Sequence, residues 1–389
     1  QQIWQEARAE NDFEKFRPSL EKTVELTCKT AEYYGYEDNI YDALLDIYEP
    51  GMTVSQLDPL FAGLREAIVP LVKAVGESKN QPDLSFLDIG KFSEEKQREF
   101  SLKVAESIGF DFNAGRMDTS THPFCSGAGP NDVRFTTRYD EEFPFGCLYG
   151  VMHETGHGTY EQGLLQEHEG TPMGQAVSLG VHESQSRMWE NMVGRSHEFW
   201  QFYIEEFKSC FSHLPSDLDV DTLHRGVNTV KPSLIRVESD EATYNLHIMV
   251  RYEIEKQLVN GNITIGDLPE FWNSKMQEYL GVTPPNDTKG VLQDIHWSMG
   301  AIGYFPTYTL GNLYAAQLYA AALADDPSIP DKIAKGQFTA LLDWMRSHIH
   351  VHGSKLLPAD LMTQATGKEP SSDAFVDYLQ SKFTKIYGL

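Results

Sequence analysis

The stretch His153-Glu154-Thr155-Gly156-His157 has the form H-E-x-x-H, and the fold prediction for the whole chain starts from it. On a helix, two histidines four residues apart lie on one face, where both imidazoles can reach a single metal ion. Glu154 then lies beside that ion as a carboxylate able to accept a proton from water. The preceding residues, Phe145 to Met152, are mostly apolar and contain no proline. The sequence therefore predicts a buried metal-binding helix with a hydrolytic site.

The motif is informative but does not settle the site alone. The chain has 13 histidines in 389 residues, and chance would produce H-E-x-x-H in roughly a few of every hundred such chains. A helix with two hydrogen-bonded, inert histidines is the alternative. Residues elsewhere in the sequence must decide between the two.

A catalytic zinc site needs a third protein ligand, with the fourth position left to water. The extended form H-E-x-x-H-x-x-G-x-x-H is excluded, because Tyr160 replaces its glycine and Gly163 its third histidine. The other common solution is a glutamate from a following helix, and Glu183 is the candidate. His182 is the competing ligand, and an ordinary solvated helix residue is the alternative for Glu183. Carboxylates or carbonyls are expected to hold the second nitrogen of each imidazole, but the sequence does not identify them.

The composition bounds the class of protein and its partners. The chain has 32 Lys and Arg residues against 57 Asp and Glu residues, a formal net charge of -25, which would repel nucleic acid and anionic membranes. It also lacks an apolar run long enough to span a bilayer, and its first residues do not resemble a signal peptide. We expect a cytoplasmic protein whose thiols are free and buried, because no C-x-x-C pair occurs among its cysteines: Cys28, Cys125, Cys147 and Cys210.

The first part of the chain, up to about Gly109, has the apolar spacing and the caps of helices. Proline at position 18 is expected in a first turn. Helices are predicted around Leu20 to Cys28 with an end at Gly35, from Asp42 to Tyr48, from Leu57 to Val75 with a kink at Pro70, and from an N-cap at Ser93 to Ile108.

A small sheet is predicted between Phe110 and Tyr139, where glycine, proline and short polar residues surround extended pieces. Residues Val133 to Tyr139 alternate apolar and polar side chains with the period of a strand. An edge strand beside a metal site can hold an extended peptide through main-chain hydrogen bonds, so this strand is a candidate substrate shelf. A local hairpin that only supports the metal helix is the alternative.

The chain after the metal helix is again helical. Residues 163–180 are loop-like, and one long helix is predicted from about Val181 towards Leu214, with others near residues 242–259, 268–280, 307–324, 338–349 and 372–386. No repeat or linker stands out. We expect one mainly α domain over residues 1–389, with a helical N-terminal part (1–110) and a catalytic part (111–389), and with room for two lobes flanking a cleft.

Several separate stretches together resemble the M32 family of metallocarboxypeptidases, the carboxypeptidase Taq type. They follow the family's order over most of the chain after about residue 120: His122-Pro123-Phe124, Asp132-Val133-Arg134-Phe135-Thr136, His153 to His157, His182-Glu183-Ser184-Gln185, Ile235-Arg236 with Asp240, and Gly290 to Trp297. The family's I-R-x-x-A-D motif has Ser239 instead of alanine here. Family members usually carry a longer helical region before the part that begins here, so part of that region is expected to be absent.

The resemblance implies a mostly helical, cleft-containing fold shared with neurolysin-like and angiotensin-converting-enzyme-like peptidases, with one small sheet beside the metal helix. It also implies a homodimer. The implied activity is the removal of single residues from the free C-termini of peptides. The implied cofactor is one zinc ion per chain, or another divalent ion such as Co²⁺.

The chemistry of the residues agrees with that activity. A zinc ion on His153, His157 and Glu183 would acidify a water molecule, and Glu154 would take its proton and pass it to the leaving amine.

The developing oxyanion needs a hydrogen-bond donor. By analogy with related helical peptidases we expect His296 and Tyr304 in this role, with Tyr308 as the alternative tyrosine. Core packing is the structural alternative for Tyr304.

An exopeptidase acting at the C-terminus must recognise a free carboxylate, for which an arginine fork is suited. Arg236 is the first candidate and Arg134 the second. Each has a structural alternative: a salt bridge of Arg236 with Glu238 or Asp240, and one of Arg134 with Asp132.

Two other functions remain open from the sequence. A helical zinc oligopeptidase or endopeptidase would cut internal bonds, and an amide on the substrate's C-terminus would separate it from a carboxypeptidase. The second alternative is a non-catalytic protein that only binds peptides. A missing catalytic residue would indicate it, and none is missing.

Overall fold

Helices form most of the molecule. The computed structural model describes all 389 residues. Its α-helices are α1 (Gln2–Glu10), α2 (Phe13–Tyr34), α3 (Ile40–Leu45), α4 (Val54–Glu77), α5 (Glu94–Ile108), α6 (Pro144–Gly163), α7 (Leu179–Arg187), α8 (His197–Cys210), α9 (Val220–Val227), α10 (Tyr244–Val259), α11 (Leu268–Leu280), α12 (Pro306–Asp325), α13 (Ile329–Ile333), α14 (Thr339–His348), α15 (Pro358–Thr366) and α16 (Asp373–Tyr387). Its strands are β1 (Gly115–Thr119), β2 (Cys125–Gly129) and β3 (Asp132–Thr137). The mainly helical class with one small sheet is as predicted.

Most predicted helices are found within a few residues of their expected bounds, but two details were wrong. The long helix expected from Val181 to Leu214 is divided into α7, a π-helical turn (Met188–Val193) and α8. At the end of that turn, a Cβ on Gly194 would lie only 2.7 Å from the sulfur of Met152, so α6 packs closely against the interruption. Proline 18 also does not lie in a first turn, because α2 begins at Phe13.

The sheet has the strand order β1-β3-β2, with β1 parallel and β2 antiparallel to β3. The strand predicted as an edge is therefore the central one, and its main-chain groups are used on both sides. Its buried side chains Val133 and Phe135 form a small cluster with Cys147 and Val151 of α6. The sheet thus supports the metal helix, and a peptide could only add to an outer strand.

One large hydrophobic core connects the N-terminal helices with the rest of the chain. Its 88 buried residues run from Trp4 to Tyr387, so α1 to α4 pack on the same core as the helices around the metal motif. None of the helices combines the length and the apolar composition needed to cross a membrane. All cysteines are free, as predicted, although only Cys147 is buried.

Candidate active site

Three predicted ligands converge between α6 and α7. His153 and His157 lie one turn apart on α6, and Glu183 faces them from α7. The Oε2 atom of Glu183 is 3.5 Å from Nε2 of His153 and 3.4 Å from Nε2 of His157. All three ligand atoms lie within 4.8 Å of one another. The structure therefore brings together the two histidines and the glutamate that the sequence singled out.

The spacing of these atoms fits a divalent transition metal. Zinc binds imidazole nitrogen and carboxylate oxygen at about 2.0–2.2 Å with tetrahedral geometry, which places neighbouring donors roughly 3.4 Å apart. The glutamate oxygen meets that separation from both histidines. Two nitrogens and one oxygen also suit zinc or cobalt better than calcium or magnesium, which prefer oxygen ligands.

Glycine residues allow the helices around these ligands to approach closely. A Cβ on Gly156, inside the metal motif, would lie 2.4 Å from the backbone oxygen of Gln185 in α7. A Cβ on Gly311 in α12 would lie 2.4 Å from Cγ of Glu183. Helix α7 is thus held between α6 and α12, and any side chain at either glycine would displace it.

The second nitrogen of each ligand histidine has a partner. Nδ1 of His153 is 2.8 Å from Oε2 of Glu190. Nδ1 of His157 is 2.5 Å from Nδ1 of His182, whose Nε2 is 2.7 Å from Oε1 of Glu161. His182 was the competing metal ligand, but it lies behind His157 and outside the ligand cluster.

The tautomers follow from this chain of contacts. Glu161 can only accept while ionised, and His182 lowers the pKa of its carboxyl against the effect of burial. When Nε2 of His182 donates to Glu161, its Nδ1 is left to accept from Nδ1 of His157. Burial lowers the pKa of His157 to about 4, so its ring is neutral and its Nε2 lone pair points to the metal position.

Glu183 is held ionised by its neighbours. Burial alone would raise its pKa, but Arg187 and the two ligand histidines outweigh burial and lower it strongly. Arg187 donates from Nε to Oε1 of Glu183 at 2.7 Å and from Nη1 to Oε2 of Glu190 at 3.0 Å. One arginine therefore fixes both a ligand and the partner of another ligand.

Glu154 differs from Glu183 and Glu190, whose pKa values are lowered against the effect of burial by Arg187. It is 6% exposed, and burial raises its pKa to about 7, with the Glu183 carboxylate adding to the effect. A carboxyl group with a pKa near neutrality is suited to take and return a proton. A bound cation would favour its ionised form.

His296, Tyr304 and Tyr308 form one aromatic group beside the ligands. Nε2 of His296 is 3.2 Å from Oη of Tyr308, and the two tyrosine rings are 5.3 Å apart. Both tyrosines are only half-buried, with Tyr308 in the first turn of α12 and Tyr304 two residues before that helix. Burial raises the pKa of each, and the charge of Glu183 contributes to the rise. Burial lowers the pKa of His296 to about 4. The ring of Tyr304 packs against the rings of Tyr48 and His296, and its catalytic role remains a prediction.

Arg236 lies next to this group, but its salt bridge is not one of those expected. It pairs with Asp294, with Nε and Nη2 donating to Oδ1 at 3.0 and 2.8 Å, whereas Glu238 and Asp240 are not its partners. Asp240 instead caps the start of α10 through backbone N–H groups. The guanidinium of Arg236 lies 5.0 Å from the centre of the Tyr308 ring.

Comparison with known proteins identifies the family. A family model described as carboxypeptidase Taq (M32) metallopeptidase matches residues 1–383. The chain belongs to the M32 family of metallocarboxypeptidases. The family resemblance and the carboxypeptidase activity predicted from the sequence are confirmed, and the endopeptidase and non-catalytic alternatives find no support.

Named relatives of this M32 metallocarboxypeptidase cover nearly all of the chain. Carboxypeptidase 1 of Bacillus subtilis is 44% identical over 99% of this chain and 77% of its own length. Thermostable carboxypeptidase 1 of Thermus thermophilus is 46% identical with the same coverage. The solved M32 carboxypeptidase from Deinococcus radiodurans R1 is 41% identical and superposes with a TM-score of 0.96 over 99% of this chain and 78% of its own.

Arg134 is not brought together with the other predicted residues. It lies on β3 with a 58% exposed side chain, and it donates from Nε and Nη2 to the two carboxylate oxygens of Asp132 at 2.7 and 2.8 Å. This is the salt bridge named as its structural alternative. A role for Arg134 in substrate binding remains a prediction.

Three carboxylates near the M32 site were not predicted from the sequence: Glu49, Glu161 and Glu190. A signal existed for Glu190, because Glu183, Arg187 and Glu190 follow each other at helical spacings of four and three residues. Glu161 is likewise four residues after the second metal histidine. No local pattern identified Glu49, which reaches α7 from the N-terminal part of the chain.

Proposed function

We propose that this M32 metallocarboxypeptidase binds one zinc ion through His153, His157 and Glu183 and releases single amino acids from the free C-termini of peptides. The observation that carries the metal assignment is the 3.4–3.5 Å separation of the glutamate oxygen from both imidazole nitrogens. Another divalent ion with similar geometry, such as Co²⁺, would fit the same donors.

Glu154 acts as the general base and then as the general acid. When bound, zinc supplies the acidification of a water molecule and the polarisation of the scissile carbonyl. Glu154 accepts the proton of the attacking water and later delivers it to the leaving amine. Its raised pKa suits a group that must carry the proton between these two steps.

The oxyanion is stabilised by a tyrosine hydroxyl. Tyr304 and Tyr308 both present half-buried rings beside Glu183, and the Tyr308 hydroxyl already contacts His296. We assign Tyr304 as the donor. Tyr308 packs against the Tyr304 ring, and His296 fixes the position of Tyr308 through its hydrogen bond to that hydroxyl. A phenol with a raised pKa stays protonated and can donate.

Arg236 receives the substrate's C-terminal carboxylate. Its guanidinium is buried and shares Asp294 with Arg251, whose Nη2 is 2.6 Å from Oδ2 of the same aspartate. Two cations therefore face one anion in a buried site. A carboxylate would balance the remaining charge, and Arg236 has N–H groups that neither Asp294 nor Tyr244 uses.

The type of cleft, the oligomeric state and the cellular location are also proposals. The arrangement of a metal helix, a small supporting sheet and a following helix with a glutamate ligand supports a cleft of the neurolysin-like and angiotensin-converting-enzyme-like kind between two lobes. By family resemblance we propose a homodimer that acts on cytoplasmic peptides.

The test compares a peptide with its C-terminal amide. Mass spectrometry of the products over time should show a ladder of single-residue losses from the free acid, and the rate on the amide should be at least tenfold lower. Arg236→Lys should raise KM for the free acid and reduce this discrimination, whereas Arg116→Lys, at an exposed arginine that pairs with Asp118, should not. Internal cleavage at equal rates on both peptides would overturn the proposal.

A further inference from the structure

The segment Tyr41 to Glu49, which we call the 41–49 brace, contacts the loop before Tyr304 at one end and the start of α7 at the other. Oη of Tyr41 donates to the buried carboxylate of Glu255 at 2.7 Å. The backbone of Leu44 lies so close to Gly303 that a Cβ there would be 2.7 Å from it. The brace thus contacts the loop that leads directly into Tyr304, the proposed oxyanion donor.

At its other end the brace covers the start of α7. The first N–H groups of a helix have no partner within the helix. Here the N–H of Leu179 donates to the carbonyl oxygen of Tyr48 at 3.0 Å, and the N–H of Gly180 donates to Oε2 of Glu49 at 2.9 Å. Glu183 follows one turn later on the same helix, so the brace sets the position from which that carboxylate reaches the metal.

Glu49 caps α7 from inside the protein, whereas most helix-capping side chains lie at the surface. Its side chain is fully buried, and its other oxygen accepts a hydrogen bond from Oη of Tyr314 in α12 at 3.0 Å. Burial raises the pKa of Glu49 to about 7, and the hydrogen bonds from Tyr314 and from the N–H of Gly180 oppose that rise. A buried carboxyl group is costly unless its oxygens are satisfied, and here each oxygen accepts a hydrogen bond. A Cβ on Gly180 would lie 2.5 Å from Oε2, so the fit also depends on that glycine.

Tyr48 extends the same connection to the catalytic tyrosines. Its ring lies 5.1 Å from the ring of Tyr304 at an interplanar angle of 59°. Adjacent residues of the brace therefore contact the helix of the third metal ligand and the proposed oxyanion donor.

We propose that Glu49 is a positioning residue for the metal site, which fixes the start of α7 and thereby the distance of Glu183 from His153 and His157, while Tyr48 ties the brace to Tyr304. This inference rests on the metal-ligand set proposed above. It assigns to the N-terminal helices a part in metal binding that no motif of the sequence records.

The test measures zinc affinity directly, by competition between the purified zinc-free protein and a chelating indicator. Glu49→Gln keeps the shape of the side chain but replaces one acceptor oxygen by an amide, and the zinc Kd should rise by about 10-fold or more, as for other groups that orient metal ligands. Gly180→Ala should shift the Kd in the same direction, because its methyl group displaces the Glu49 carboxylate. Where Glu49→Gln yields no folded protein, Gly180→Ala carries the test.

Asp219→Ala is the control, because Asp219 caps α9 by accepting from the N–H of Thr222 far from the metal ligands in sequence and contacts. It should lower Tm and leave the zinc Kd unchanged. If Glu49→Gln and Gly180→Ala also lower Tm but keep the Kd within twofold of the wild-type value, Glu49 is only structural and the inference is overturned. Failure of Glu183→Gln to weaken zinc binding would instead refute the ligand set itself.

Discussion

Gly156→Ala should separate α6 and α7, the two helices that hold the proposed metal ligands. A Cβ at this position would lie 2.4 Å from the backbone oxygen of Gln185 and 2.5 Å from Cα of Ser186, whereas ordinary contact begins near 3.4 Å. Both atoms belong to the backbone of α7, so no side chain can rotate away. The helices must therefore move apart locally by about 1 Å.

This displacement acts on the metal site because His157 follows directly on α6 and Glu183 lies on the facing turn of α7. A shift of about 1 Å would widen the 3.4 Å gap between these ligand atoms beyond what a tetrahedral zinc ion spans. We expect zinc to bind at least about 10-fold more weakly, which corresponds to about 1.4 kcal/mol. Overpacking should also lower the free energy of unfolding by about 1–3 kcal/mol.

Gly150→Ala is the matched control, because it is the same substitution on the same helix with nothing within 4 Å of the new Cβ. It should stabilise the protein by up to about 1 kcal/mol through helix propensity and leave zinc affinity unchanged. Zinc competition and thermal unfolding of both variants provide the measurement. A zinc Kd for Gly156→Ala within threefold of that for Gly150→Ala would refute the close-approach argument.

Three further predictions concern the proton carrier, the metal and a buried carboxylate. Glu154→Gln should lower kcat by about 10²- to 10⁴-fold with zinc affinity near the wild-type value, and a parallel loss of zinc would contradict its role. Chelation should abolish activity and lower Tm, since a ligand bound only to the folded state stabilises it by about 4 kcal/mol at 1,000 times its Kd; an unchanged Tm would argue against the site. Burial raises the pKa of Glu255 from 4.5 to about 7. The folded state therefore binds this proton more tightly than the unfolded state, and stability should fall as the pH rises from about 4.5 to 7. Denaturant titrations at several pH values give the slope of the unfolding free energy against pH. Glu255→Gln should reduce that slope by up to about 1.4 kcal/mol per pH unit. Equal slopes for the variant and the wild type would contradict the prediction.

The metal cluster could be predicted because its determinants are local. Two histidines four residues apart must share a helix face, and a glutamate on the next helix is the usual third ligand. The choice between His182 and Glu183 could not be made from spacing alone, since adjacent helical residues point in different directions. In the structure Glu183 faces both histidines, whereas His182 lies behind one of them, and this arrangement supports the proposal of Glu183 as the ligand.

Features that depend on distant parts of the chain were missed. The strand β3 was expected at an edge because its alternating pattern reports burial of one face and says nothing about neighbours on either side. Its parallel partner β1 has no clear alternation of its own, with only Met117 buried. The Asp294 salt bridge of Arg236 spans 58 residues, and the nearby acidic residues Glu238 and Asp240 were the only partners that sequence spacing could suggest.

The charges of the site differ between its two ends, and this difference favours an exopeptidase. At the metal end, Glu183 and Glu190 are matched by Arg187 and Arg195. At the other end, Arg236 and Arg251 share only Asp294, and the pKa of His296 is lowered, so that this histidine adds no charge.

Tyr244 lies between these two ends of the site, with its hydroxyl accepting from Arg236 and its ring 4.4 Å from the guanidinium of Arg187. A peptide whose C-terminal carboxylate reaches Arg236 therefore neutralises a buried positive charge, whereas a chain that continues past the cleavage point leaves that charge unbalanced. Selection for the terminal residue can thus arise from electrostatics, in addition to any closure of the cleft.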